Sequence, residues 1–371
     1  MKMRCVGIAI CAALLLTGPV ALAQGQSPLV LAFYYPWYRT PFYSGYWGHW
    51  NGDGHDPEEF VEPGRRDIAA VHYPESDVYD SLDPQTIGRH IQESEAAGID
   101  GWIVSWWGQD DEGLPAILDY LSDHPSDIKV SVYYEIVPGC GGQDYLCPGV
   151  PPSEKIRAVV DDILYILDNF ADHPNFLKFG DRPVIFVYTR AIAQAYLQWQ
   201  TIISEIRSVR SLYISGDANL TLADFIIPRG FDQIHFYNPT WQIAYLGFDT
   251  LDYCGFVERA RARGFSVALT VIPGYDDSAL VESRPHPIVI DRGDGALYQA
   301  LWDISISCRP DWILITSFNE WHEGTEIEPS VEFGNQYIDL TKLNSGRFKL
   351  LSSVVPRLIR LERGKRAFVD R

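Results

Sequence analysis

The chain has 371 residues and a formal net charge of -19. A surface this acidic repels nucleic acid and anionic lipid, which argues against either as a partner. Neutral sugars meet no such barrier, and an aromatic content of 13%, with 11 Trp and 21 Tyr, offers flat faces for stacking sugar rings.

At the N-terminus, Lys2 and Arg4 precede an apolar run over 6–16, and Ala21-Leu22-Ala23 follows. This order predicts a secretory signal peptide, residues 1–23, cut after Ala23. The run is shorter than the roughly 20 residues that span a bilayer, so it is not read as an anchor. Residues 24–371 are expected to form one exported catalytic domain, periplasmic or secreted, with no membrane span after signal removal. A monomer is the default expectation. Four cysteines then remain: Cys140, Cys147, Cys254 and Cys308. An even number in an exported chain is compatible with two disulfides. Cys140 and Cys147 bracket a Gly-rich loop and suggest a local bridge. Cys254 and Cys308 either bridge neighbouring helices or stay as buried thiols.

The predicted elements alternate. A strand over 29–35 leads into a long loop, 39–82, with Tyr43, Tyr46, Trp47, His49, Trp50 and His55. Loops this long are usually functional, and the aromatic density argues against disorder, so the loop reads as a lid or substrate wall. A helix over 83–98 starts at Asp-Pro and stops at Gly. Strand 101–106, a short helix 114–121, strand 129–136, helix 153–170, strand 183–188 and helix 191–209 follow. Strand 212–215 precedes a helical stub at 220–226. Then come strand 233–237, helix 252–264, strand 266–272, helix 296–306, strand 312–317 and helix 346–363. The strands are near-continuous in apolar residues, as strands buried on both faces are. Eight strands alternating with helices predict an α/β fold, a single (β/α)8 TIM-type barrel. No Gly-rich phosphate loop follows the first strand, against a dinucleotide fold.

In such barrels chemistry sits at the C-terminal strand ends. The ends carry Tyr34-Tyr35-Pro36-Trp37-Tyr38, Ser105-Trp106-Trp107, Tyr133-Tyr134-Glu135, Tyr188-Thr189-Arg190, His235-Phe236-Tyr237-Asn238 and Gly274-Tyr275-Asp276-Asp277. This rim of aromatics and carboxylates suits a neutral polyhydroxylated ligand. The last strand runs into Asn319-Glu320-Trp321-His322-Glu323-Gly324-Thr325-Glu326-Ile327-Glu328. Four carboxylates here repel one another, and such repulsion raises some of their pKa values. Glycoside cleavage needs one carboxyl to protonate the leaving oxygen and a second as base or nucleophile. Glu320 and Glu323 are the catalytic candidates. His322 and Glu323 are possible metal ligands, but the helical two-His zinc motif is missing, so no metal and no cofactor is expected.

The opening motif with Trp47-Gly48-His49-Trp50, then Ile272-Pro273-Gly274-Tyr275-Asp276-Asp277, then the 320–328 motif, resembles glycoside hydrolase family 99, the endo-α-1,2-mannosidases and endo-α-1,2-mannanases. The likeness runs from the first strand to the last. It implies a retaining barrel in which Glu320 is base toward the sugar's own 2-hydroxyl and Glu323 is acid, then base, through a 1,2-anhydro intermediate. Tyr34, Trp106, Glu135, Tyr188, Tyr237 and Arg284 occupy places where that family holds sugars. Trp37, His49, Tyr275, Asp276, Trp321 and His322 lie in the shared motifs. One departure stands out: Glu326 occupies a position expected to be Gln. Two other readings are a hydrolase of another exported polysaccharide and a carbohydrate-binding barrel without turnover.

Overall fold

A computed structural model describes residues 28–142, 144–218 and 229–369, with 354–369 as backbone only. The expected signal peptide and the stub at 220–226 lie outside the described residues. Eight parallel strands make the core sheet: β1 (Leu29–Tyr34), β2 (Gly101–Trp106), β3 (Lys129–Tyr134), β4 (Arg182–Val187), β5 (Tyr213–Asp217), β6 (Gln233–His235), β7 (Ser266–Val271) and β8 (Trp312–Ile315). Strand β1 pairs with β2 and β8, and β3 pairs with β4, so the sheet closes into a barrel.

Side chains alternate between two layers. Leu31, Phe33, Ile103, Tyr133, Val184, Phe186, Tyr213, Ala268, Trp312 and Leu314 pack together inside the barrel. Their neighbours Val30, Ala32, Trp102, Val104, Val130, Val132, Ile185 and Ile313 pack outward against the helices. The interior is filled, with Phe33 4.8 Å from Tyr133 and Phe186 5.3 Å from His235 between ring centroids.

The surrounding helices are α1 (Pro84–Ala97), α2 (Gly113–Asp123), α3 (Pro152–Asn169), α4 (Thr189–Gln194), α5 (Trp199–Val209), α6 (Thr240–Leu246), α7 (Tyr253–Ala262), α8 (Ala296–Cys308) and α9 (Gln336–Val369). Helix α1 starts and stops where the sequence indicates. Asp83 accepts from the Gln85 N–H, Pro84 sits in the first turn, and Gly98 takes a left-handed φ of 72°. The helix expected over 191–209 is instead two, α4 and α5. The buried Gln194 amide leaves the helix to bind Val137 N and the carbonyls of Gly141 and Asp144, and the Trp199 indole caps the carbonyls of Ala191 and Ile192. The last helix begins ten residues before the expected start at 346, and α6 was not foreseen. Both cysteine pairs are bridged: Cys140–Cys147 in the loop after β3, and Cys254–Cys308 between α7 and α8. Among the described residues no helix is long and apolar enough to cross a membrane.

Candidate active site

Beyond β8 the backbone of 316–320 stays buried and turns into a single 3-10 turn, Trp321–Glu323. The Glu320 carboxylate caps that turn by accepting the His322 N–H at 3.2 Å. Gly324 ends it with φ 55°, and a Cβ there would lie 2.8 Å from the Asp276 carbonyl, so only glycine fits. Asn319 ties the turn to the end of β1. Its amide accepts from Tyr35 N at 2.8 Å and donates to Tyr35 O at 3.0 Å. The result is two carboxylates on one wall, Glu320 3% exposed and Glu323 half-buried.

Other strand ends build the rest. The Tyr35 hydroxyl donates to Tyr237 Oη at 2.6 Å, and Tyr237 Oη donates to Glu323 Oε2 at 3.3 Å. Arg284, from the loop after β7, reaches Glu323 Oε1 at 3.3 Å and also binds Asp277 at 3.0 Å and the Tyr275 hydroxyl at 2.6 Å. Glu135, at the end of β3, is buried and accepts from Ser105 Oγ at 2.9 Å. Trp37 stacks on His49 at 4.4 Å, and His322 Nε2 donates to the His49 carbonyl at 2.7 Å. Tyr35, Trp37, Glu135, Tyr237, Arg284, Glu320, His322 and Glu323, together with Trp107, Tyr133, Tyr188 and Arg190, line a cavity of about 130 Å³. A groove of about 360 Å³ continues from it past Tyr188, Tyr237 and Glu323 toward Asp217 and Trp241.

Larger cavities lie elsewhere. One of about 750 Å³ between α8 and α9 has Asp303 as its single carboxylate, already paired with Arg347. One of about 620 Å³ beside the first loop has carboxylates already engaged, such as Glu58 with the Trp47 indole and Asp80 with Thr40 N. The cleft over Glu320 and Glu323 is assigned by its chemistry, since convergent carboxyls in a partly closed site mark acid–base work.

Burial and the neighbouring Glu323 push the Glu320 carboxyl well above its ordinary range, with Arg284 opposing. Burial pushes Glu135 up to about 8, against the pull of Ser105 and Arg190. Asp217 rises to about 7 for the same first reason. Burial lowers His322 to about 4 and His49 to about 3, so both rings are neutral near pH 7. The burial that raises Glu320 favours its protonated form in the free enzyme.

Of the residues singled out by sequence, Trp37, Glu135, Tyr188, Tyr237, Arg284, Glu320, His322 and Glu323 line the cleft. His49 backs Trp37, and Tyr275 holds Arg284. Four do not face it. Tyr34 points outward, stacked on Trp102 and bonded to His90. Trp106 is in the same outer layer, stacked on Tyr134. Trp321 is fully buried, its indole bonded to Tyr79 and Glu328. Asp276 caps the Ser278 N–H, and Asp277 takes the contact with Arg284 instead.

The four-carboxylate motif also divides. Glu326 is buried against Arg292 at 2.5 Å and His72 at 2.8 Å. Glu328 is buried against His90 at 2.8 Å and the Tyr79 hydroxyl at 2.7 Å. Despite burial, both carboxyls are held below the ordinary range by these partners. Glu326 therefore adds no free acid to the cleft. Among the described residues, His90, Glu93 and Glu328 bring possible metal-ligand atoms within 4.8 Å of one another, but His90 and Glu328 are already bonded to each other and lie in the outer layer.

The sequence places Tyr35, Trp107, Tyr133, Arg190 and Asp277 on the rim without singling them out as site residues, and it gives no sign of Asp217. Asp217 is the most consequential. Its carboxylate accepts from Tyr237 N at 3.0 Å, Thr189 N at 3.1 Å and Tyr133 Oη at 3.3 Å, fixing the floor beneath Tyr237. The strand was expected to end at 215, two residues short. The small polar residues Ser105, Ser131 and Ser215 within apolar strands were an available sign of which side faces the barrel axis.

The model of glycosyl hydrolase family 99 matches residues 27–351. Glycoprotein endo-alpha-1,2-mannosidase of Mus musculus is 29% identical over 335 residues, covering 81% of this chain and 67% of its own. The enzyme of that name from Xenopus laevis is 27% identical, with 81% and 69% covered. A solved structure of a GH99 endo-alpha-mannosidase from Bacteroides thetaiotaomicron is 25% identical and superposes with a TM-score of 0.66 over 86% of this chain and 97% of that one. The chain belongs to glycosyl hydrolase family 99 and is a glycoside hydrolase.

Proposed function

We propose that this enzyme is a retaining, endo-acting hydrolase of α-mannosidic linkages, α-1,2 in particular, in a glycan or mannan. The observation that carries the proposal is the pairing of Glu320 and Glu323 on one turn, facing one cleft, with Tyr237 and Arg284 on Glu323. The named activities of the relatives support the substrate class.

In the proposed reaction Glu320 takes the proton of the substrate's own 2-hydroxyl. The resulting oxygen attacks the anomeric carbon, and the bond to the leaving oxygen breaks as Glu323 protonates it. A 1,2-anhydro sugar remains. Glu323, now ionised, takes a proton from water, which opens the ring, and Glu320 returns its proton to the 2-oxygen. Two inversions give net retention. Burial favours a proton on Glu320 in the free enzyme, so the cycle begins once that proton has passed to Glu323 and left Glu320 ionised to act as base. Tyr237 and Arg284 stabilise Glu323 when it is ionised, midway through the cycle.

We also infer export. The N-terminal pattern and the two disulfides support an oxidising compartment.

The test is digestion of an α-1,2-linked mannan, with products separated by size and the first-formed anomer read by NMR. Oligosaccharides bearing the α-anomer are expected. Release only of single sugars, or of the β-anomer first, would overturn the endo or the retaining assignment.

A further inference from the structure

Arg284 reaches Glu323 from a loop that β7 alone does not hold. The segment before it, 279–283, is fastened to the long loop after β1 at two points. The Asp53 carboxylate accepts the N–H groups of Glu282 at 2.7 Å and Ser283 at 2.8 Å. Asp53 sits at φ 56°, an uncommon but accessible conformation for aspartate, between Gly52 and Gly54. The His55 ring supplies the second point. Its Nε2 lies 2.9 Å from the Ala279 carbonyl and its Nδ1 lies 2.6 Å from Asp67 Oδ1.

A carbonyl and a carboxylate only accept hydrogen bonds, so both ring nitrogens must donate. The ring that satisfies both is the imidazolium. Burial alone would lower the His55 pKa, but the Asp67 hydrogen bond and the Ala279 carbonyl outweigh it and raise the value. The charged groups around His55 are Asp53 and Asp67 of its own loop and Glu282, whose carboxylate lies against Gly54. His322 of the β8 turn, neutral near pH 7, also feels its charge.

We propose that Asp53 and His55 are positioning residues, a two-point clasp between the β1 and β7 loops that sets Arg284 on Glu323. The assignment rests on the catalytic reading of Glu323. When His55 loses its proton, one of its two bonds must go, and the clasp loosens at its Ala279 or Asp67 end. Asp53 keeps the other point at all pH values where it is ionised. The clasp therefore weakens as pH rises through the His55 pKa, and Asp53→Ala removes the point that does not titrate.

Two readouts test it. Amide hydrogen exchange, corrected for intrinsic rates, needs no substrate. Glu282 and Ser283 should exchange on the order of tenfold faster in Asp53→Ala than in wild type. In wild type, protection across 279–284 should decline as pH rises through the His55 pKa, and in His55→Gln that decline should vanish. On a substrate that wild type cleaves, Asp53→Ala should lower kcat by about 10- to 100-fold with little change in KM, as small misplacements do. In an Arg284→Ala background it should add less than about twofold, since both changes remove one interaction. Asp53→Asn, which keeps one acceptor, should fall between. Unchanged exchange at Glu282 and Ser283 in Asp53→Ala would overturn the clasp. So would a kcat loss that simply multiplies with that of Arg284→Ala. If no glycan is cleaved, the proposed function fails, and the exchange measurement still decides the clasp.

Discussion

Glu326→Gln separates the reacting carboxylates from the supporting ones. The wild-type carboxylate is fully buried and takes a charged hydrogen bond from Arg292 at 2.5 Å and a further hydrogen bond from His72 at 2.8 Å. Removing one member of a buried ion pair costs about 3–5 kcal/mol when the other is left alone. Arg292 would not be left quite alone. It also donates to the Gly324 and Glu326 carbonyls and lies 4.5 and 4.6 Å from the Phe333 and Tyr337 ring centres. His72 is partly exposed, so water can replace the partner it loses. The cost should therefore sit nearer 2–3 kcal/mol, which in a domain of this size lowers Tm by roughly 3–4 °C. Because partners hold the Glu326 pKa down in the folded state, its stabilisation is present above the ordinary carboxylate range and fades as pH falls through the folded value. The difference in Tm should thus shrink toward pH 3. Calorimetry of both proteins from pH 3 to 7, with hydrolysis measured well below either Tm, is the assay. Activity should stay within about threefold, or ~0.7 kcal/mol. A mutant with wild-type Tm and a hundredfold loss of activity would refute this reasoning and return Glu326 to the reacting set.

Tyr237→Phe removes the hydroxyl between Tyr35 and Glu323 and should cost about tenfold in kcat, ~1.4 kcal/mol, without a large change in Tm. Glu135 has a folded pKa of about 8 against 4.5 unfolded, so the fold binds its proton more tightly and loses stability as pH rises between those values. Glu135→Gln abolishes that loss, so the mutant should gain Tm relative to wild type from pH 5 to pH 8; parallel curves would contradict the raised pKa. The Cys254–Cys308 bridge closes a span of 54 residues, and loop entropy assigns it about 4 kcal/mol, against about 2 for the 7-residue span of Cys140–Cys147. Paired Cys→Ala variants compared by denaturant unfolding should rank in that order.

The barrel was legible because each strand is an apolar run and helices such as α1 carry their own stops, Asp83 and Gly98. The register at the rim was not. Strands buried on both faces show little polar alternation, so nothing in Phe33-Tyr34-Tyr35 says which ring enters the cleft, and for Trp106-Trp107 the one sign is Ser105 beside them. One position decides it: Tyr35 and Trp107 line the site, and Tyr34 and Trp106 pack under the helices. The 320–328 motif was legible as chemistry but not in its division. Glu326 and Glu328 find their partners, Arg292, His72, Arg89 and His90, from distant stretches of chain. The break between α4 and α5 escaped for a similar reason, since Gln194 leaves the helix for partners in the loop after β3.

The most direct test of the central claim is oligosaccharide release from an α-1,2-mannan by wild type, Glu320→Gln and Glu323→Gln side by side. The account predicts release by wild type and a loss of at least about 10²- to 10⁴-fold in each mutant, the range for acid–base groups, in proteins that melt within a few degrees of wild type. Mutants that keep near-wild-type turnover would contradict it, as would a wild type that binds the mannan but cuts neither it nor any other glycan.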